Sequence, residues 1–227
     1  MKHVTILRGQ TARTYKPDRG FGYLPDAIDA FVERFRFVDF PEAKNVLPPN
    51  VNAAAPPAIF KHGKLDISGR TIVIDEVQVF QLGLLITAPT STIDTDIIAE
   101  TITEWAVQRF NLTLDPMRPS IHASSLEVEF EKPIPQLFPQ LLALGEAIRN
   151  ELGEFWESKP AYELVNLHFG FDPSKAGTIA PNPFKIERRA EMPFEKNLYY
   201  CEASLTTAAH IKVLELFERL ATTPLLI

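Results

Sequence analysis

Apolar positions along the chain change period several times, and each change marks an element. From Pro25 onward, Ile28, Phe31, Val32 and Phe35 fall at i, i+3, i+4 and i+7, the stripe of an amphipathic helix. Pro25 suits a first helical turn, and Asp26 and Asp29 complement its positive end. Ahead of it, Val4 to Leu7 reads as a short strand followed by a polar loop. Behind it, "LPPNVNAAAPP" (47–57) has no period and reads as an extended linker. The pattern thus predicts an N-terminal arm over 1–46 with a short amphipathic helix, a Pro-rich linker over 47–57, and a domain over 58–227.

In that domain, "AIFK", "KLDI", "RTIVIDEVQVF" and "LLITAP" are apolar runs parted by turn signals at Gly63, Gly69 and Gly83, which predicts successive antiparallel strands. A helix from Thr92 to Phe110 gathers Ile98, Ile102, Trp105 and Ala106 on one face. "SSLEVEFEK" alternates Leu126, Val128 and Phe130 inward against Glu127, Glu129 and Glu131 outward, a half-buried strand. The next helix carries Leu137, Leu141, Leu144, Ile148 and Leu152 on one stripe, with Gly153 placed to end it. Strands in "YELVNLHFGF", "FKIERR" and "NLYYCEAS" follow. The last helix, Thr207 to Ala221, is expected to bury Val213, Leu214, Phe217 and Leu220. The fold class read from this order is α+β: a mainly antiparallel sheet with three helices packed on it, plus the N-terminal helical arm. Two passages, "LLITAPTSTIDTDII" and "YYCEASLTTAAHIKVL", both run from an apolar strand through small hydroxyl residues into a helix. Their identity is too thin to indicate duplication, and shared strand-to-helix grammar accounts for it.

Composition adds bounds. Hydrophobic residues at 45% and charged residues at 23% suffice for a sizeable core. A net charge of -6 argues against a sequence-independent nucleic-acid binder, which needs surplus Lys and Arg. The single cysteine, Cys201, allows no internal disulfide and fits a reducing compartment. "MKHVTILRGQ" lacks the apolar run of a signal peptide, and "VQVFQLGLLITAP" is too short and too interrupted to cross a bilayer. A cytoplasmic protein with no membrane partner is expected.

Candidate chemistry is sparse. "RGFGYL" (19–24) spells six positions of the aromatic RNA-binding signature of an RRM. Too few residues precede it for the strand and crossover helix that such a domain requires, and Pro25 and Asp26 break its end. It reads as a glycine-bearing loop, and no nucleic-acid partner is expected. "TSTIDTD" (90–96) could offer Asp94 and Asp96 to a metal or its backbone to an anion. Ser91-x-x-Asp94 also fits a capping box, which explains every residue without a ligand.

His210 opens the apolar face of the last helix, with Thr206 and Thr207 as neighbouring hydroxyls. A helix N-terminus there would favour a neutral imidazole usable as a base. The competing reading is a hydrogen-bonded core histidine. His3, His62, His122 and His168 show no ligand spacing, so no metal is expected. No nucleophile elbow, Walker loop or dinucleotide loop is present, Cys201 lies in an apolar strand, and no cofactor is expected. Lys185, Arg188 and Arg189 could hold an anion, or pair with the glutamate row across the sheet.

Without a convergent catalytic set, the leading expectation is a non-enzymatic interaction or assembly subunit, acting with itself or with a partner protein. Phe31 and Phe35 of the arm are its candidate contacts. The alternative is a small hydrolase or small-ligand-binding domain with a polar pocket built from His210, Thr206, Thr207 and Asp94.

Overall fold

The polar stretch after Leu7 is strand, and it is central. In the computed structural model, which describes residues 1–17, 25–42, 56–80, 82–152, 160–175 and 180–222, β1 (His3–Pro17) spans 15 residues. It pairs antiparallel with β4 (Gly83–Ala88) from Gly9↔Ala88 to Thr14↔Gly83, and with the short β5 (Leu114–Pro116). The polar residues fit a strand because a helix starts directly over it. A Cβ on Gly9 would lie 2.5 Å from the Thr90 carbonyl oxygen. Thr11 and Tyr15 exchange hydroxyl hydrogen bonds of 2.8 Å with Thr95 and Thr103 of α2 (Thr92–Phe110). A face that meets a helix through hydroxyls and a glycine carries little apolar period, so alternation could not reveal the strand.

Among the described residues there are nine strands and four helices. The remaining elements are α1 (Pro25–Phe35), β2 (Ala58–Ile67), β3 (Arg70–Phe80), β6 (Ile121–Glu129), α3 (Pro139–Glu151), β7 (Asn166–Phe169), β8 (Phe184–Arg188), β9 (Leu198–Ala203) and α4 (Thr207–Thr222). The sheet order is β2-β3-β4-β1-β6-β9-β8-β7, with β5 beside β1. The pairings β2–β3, β3–β4, β7–β8 and β8–β9 are antiparallel.

This overturns the expected three-helix layer with an N-terminal helical arm. The N-terminus is the sheet strand β1, and α1 belongs to the core. The "HG" signal also proves not to be a turn. β2 runs through His62 (φ 58), and Gly63 is there because a Cβ would meet the Phe37 ring at 2.5 Å. "SG" is a turn: Ser68 and Gly69 both take positive φ, the two-residue hairpin geometry that matches strand twist. "RGFGYL" and residues 47–55 of the linker lie outside the described residues.

The chain divides into two compact units, the division falling within β1 and within β6. The first comprises Ile6–Ser124 with Leu205–Thr207; the second comprises Met1–Thr5, Ser125–Ser204 and Ala208–Ile227. The same connectivity occurs twice: strand, helix, three-strand meander, helix. β1-α1-β2-β3-β4-α2 is matched by β6-α3-β7-β8-β9-α4. The two similar strand-to-helix passages are the last junctions of this repeated order, which goes beyond a shared local grammar.

In the first unit α1 buries Ile28, Phe31 and Phe35 among Phe37, Phe60, Leu65, Ile74 and Ile98. The chain leaving α1 is tied to the outer edge of β2, where Val38 and Asp39 donate to the Lys61 carbonyl and Lys61 donates back to Asp39. In the second unit Leu126, Val128, Phe130, Ile186, Tyr199, Cys201 and Leu214 form the core. Of the expected α4 stripe, Leu214 is buried and Phe217 packs against this core, whereas Val213 and Leu220 are exposed.

Candidate functional site

Ser91 caps α2 as the Ser91-x-x-Asp94 spacing predicts, its Oγ accepting from the Asp94 amide at 3.4 Å. The reciprocal half of the box is absent. Instead the Asp94 carboxylate accepts from Arg70 and from the Thr90 hydroxyl, with its side chain 10% exposed. Asp96 serves another group: His122 Nε2 lies 2.9 and 3.1 Å from its two oxygens, and Arg13 Nη2 lies 3.6 Å away. Arg13, Arg70 and His122 escaped the sequence reading. Their partners lie 24 to 83 residues away, and no local spacing signals such a pairing.

Thr207 meets the start of α2. The Thr92 amide donates to the Thr207 hydroxyl at 2.9 Å, and the Thr207 amide donates to the Thr92 hydroxyl at the same distance. Both residues are buried. These hydroxyls therefore satisfy helix-start donors that would otherwise be orphaned. Nearby, the Ser124 hydroxyl donates to the Leu205 carbonyl. Thr206 is half-buried beside them.

His210 belongs to the second unit, fully buried on α4, with Phe184 edge-on at 5.3 Å. Cys201 is buried there too, and desolvation pushes its thiol up to about 12, far from the thiolate a nucleophile needs at neutral pH.

The basic run is committed locally. Arg188 lies 4.1 Å over the Phe194 ring and donates to Tyr199 Oη and the Pro193 carbonyl. Burial raises the Tyr199 phenol, and Arg188 opposes that shift. Arg189 Nε reaches Glu127 Oε2 at 2.9 Å, and Lys185 stands opposite Glu202 in the β8–β9 register. Phe31 and Phe35, the candidate contact residues of the arm, are 6% and 0% exposed inside the first unit.

Several apolar side chains of the second unit are exposed. On α3, Leu141, Leu142, Leu144 and Ile148 are all exposed, Leu144 at 56%. From 141 to 151 only Gly145 is buried, set against the Tyr162 backbone so closely that a Cβ would lie 2.1 Å from its carbonyl oxygen. Val213, Leu216 and Leu220 of α4 and Phe169 of β7 are exposed as well.

No protein-family model matches the chain, and no curated protein matches it. Among the described residues no group of His, Cys, Asp or Glu could hold a metal ion, and no helix is long and apolar enough to cross a membrane.

Proposed function

We propose that the chain is a non-enzymatic interaction or assembly protein, joining a second copy of itself or a partner protein through the apolar side of α3. The observation that carries this reading is the contrast between Gly145, packed against backbone, and the exposed Leu141, Leu144 and Ile148 of the same helix. A leucine stripe in water costs solvation free energy that a partner surface recovers, at roughly 25 cal/mol per Å² of apolar area covered. Contiguous apolar exposure of this kind marks interaction sites on soluble domains. The hydrolase or small-ligand reading at His210 and the 90–96 loop has less support. Its Thr207 hydroxyl and Asp94 carboxylate are engaged in capping and ion pairing.

The test is light scattering of the full chain at tens of micromolar, alongside Leu144→Glu and Ile148→Glu. Self-association that both substitutions abolish, with melting temperatures unchanged, is the expected result. A monomeric full chain whose glutamate variants merely unfold would make the stripe a core element and remove the proposal.

A further inference from the structure

Near the C-terminal ends of α1 and α2 the first unit has a cleft of about 460 Å³ lined by Ala30, Glu33, Arg34, Arg36, Trp105 and Arg109. Three arginines converge there in a chain of net charge -6. Arg36 is held in place. It follows the last residue of α1 at φ 53, a left-handed position that helix ends normally fill with glycine or asparagine. A β-carbon there is strained, and the arginine that occupies the position pairs with Asp66. Asp66 is further fixed by the Thr71 hydroxyl, and these two partners, Thr71 first, hold its carboxyl below the usual range.

Arg34 and Arg109 are differently placed. Both are exposed, and no described carboxylate pairs with either; Arg34 lies 5.9 Å from the Phe35 ring. After Arg36 is neutralised by Asp66, Glu33 is the carboxylate among the described lining residues that faces these two positive charges. The indole of Trp105 is braced by Phe31, Phe35 and Phe110 at centroid distances of 5.4 to 5.6 Å, and Trp105 lines the same cleft as the guanidinium groups.

We propose that this cleft binds a small phosphomonoester bearing a planar ring, of the nucleoside monophosphate class. Arg34 and Arg109 take the phosphate, since planar guanidinium forks match its oxygens. Trp105 carries the ring. Glu33 accepts from sugar hydroxyls, the use a carboxylate finds beside a ribose. The volume suits a ligand of that size and is too small for a folded partner.

Titration calorimetry of the full chain with adenosine monophosphate, and separately with adenosine and with inorganic phosphate, decides the matter. Saturable binding of the monophosphate is expected, with each half-ligand weaker by about tenfold or more, because each lacks one set of contacts. Arg34→Gln combined with Arg109→Gln should weaken the monophosphate by at least about tenfold while leaving the melting temperature in place, since both side chains are exposed. No binding at millimolar monophosphate, or equal binding by the double variant, would overturn the assignment. Phosphate binding as tightly as the monophosphate would overturn the role of Trp105 and with it the ligand class.

Discussion

Two helices hold the same place in the repeated order, α1 between β1 and β2 and α3 between β6 and β7, and they differ in what covers them. Both have amphipathic sequences, so both call for a cover. α1 finds it in its own unit. Phe31 stacks near Phe37 at 5.2 Å and meets Phe60 edge-on at 4.6 Å, and Trp105 closes on Phe35 at 5.6 Å. On α3, Gly145 sits against the Tyr162 backbone, while Leu141, Leu142 and Leu144 are exposed. An amphipathic period states that a face must be covered and is silent on whether the cover comes from the same chain. The same connectivity can thus be used once for stability and once for contact.

The comparison breaks most directly by truncation. Phe35→Ala removes a side chain that is fully buried, and the cost should be about 3–5 kcal/mol in urea unfolding. Leu144→Ala, measured at a concentration where the chain is monomeric, should stay within about 0.5 kcal/mol. Similar losses at both positions would mean that α3 is as much core as α1.

Glycine substitutions sharpen the same contrast. Gly9 under the start of α2 and Gly145 on α3 each admit no Cβ without meeting a carbonyl oxygen, at 2.5 and 2.1 Å. Ala at either site should cost about 1–3 kcal/mol through forced backbone shifts. A silent Gly145→Ala would show that α3 is not seated on Tyr162, and its exposed stripe would lose its meaning as a fixed surface.

What the residues disclosed follows the range of the forces involved. α1, the Ser91 cap and the Ser68-Gly69 turn rest on neighbours a few positions apart, so spacing and turn chemistry revealed them. β1 was hidden because Gly9 and Thr11 pack against the start of α2, which lies 80 or more residues along the chain. Gly63 imitated a turn because a ring contact and a hairpin both demand the smallest residue. The pairs Arg70–Asp94 and His122–Asp96 and the arginine cleft depend on tertiary placement, for which one chain's periodicity has no signal.

The reciprocal threonines offer a finer test. Thr207→Val leaves the buried Thr92 amide without its acceptor, and Thr92→Val does the same to Thr207. Each should cost on the order of 1 kcal/mol. The double variant should cost less than the sum, because losing one bond already loosens the other, and thermal melts of all four proteins give that coupling. Strict additivity would mean that the two helix starts are satisfied independently.

The smallest effect belongs to the charged face of the second unit. Lys2 and Glu129, Arg189 and Glu127, and His168 and Glu187 form side-chain pairs there at 2.9 to 3.4 Å, and the side chains of the Arg189–Glu127 pair are 44% and 23% exposed. Water screens such a pair, and holding two long side chains in one geometry costs rotamer freedom. Glu127→Gln should therefore change stability by less than about 1 kcal/mol. The change should shrink further in molar salt, where the screening length falls to roughly 3 Å. Melting curves at low and high salt measure both. A loss matching that of Phe35→Ala and indifferent to salt would place this glutamate row in a buried network, and the second unit would then have no face held by screened charges alone.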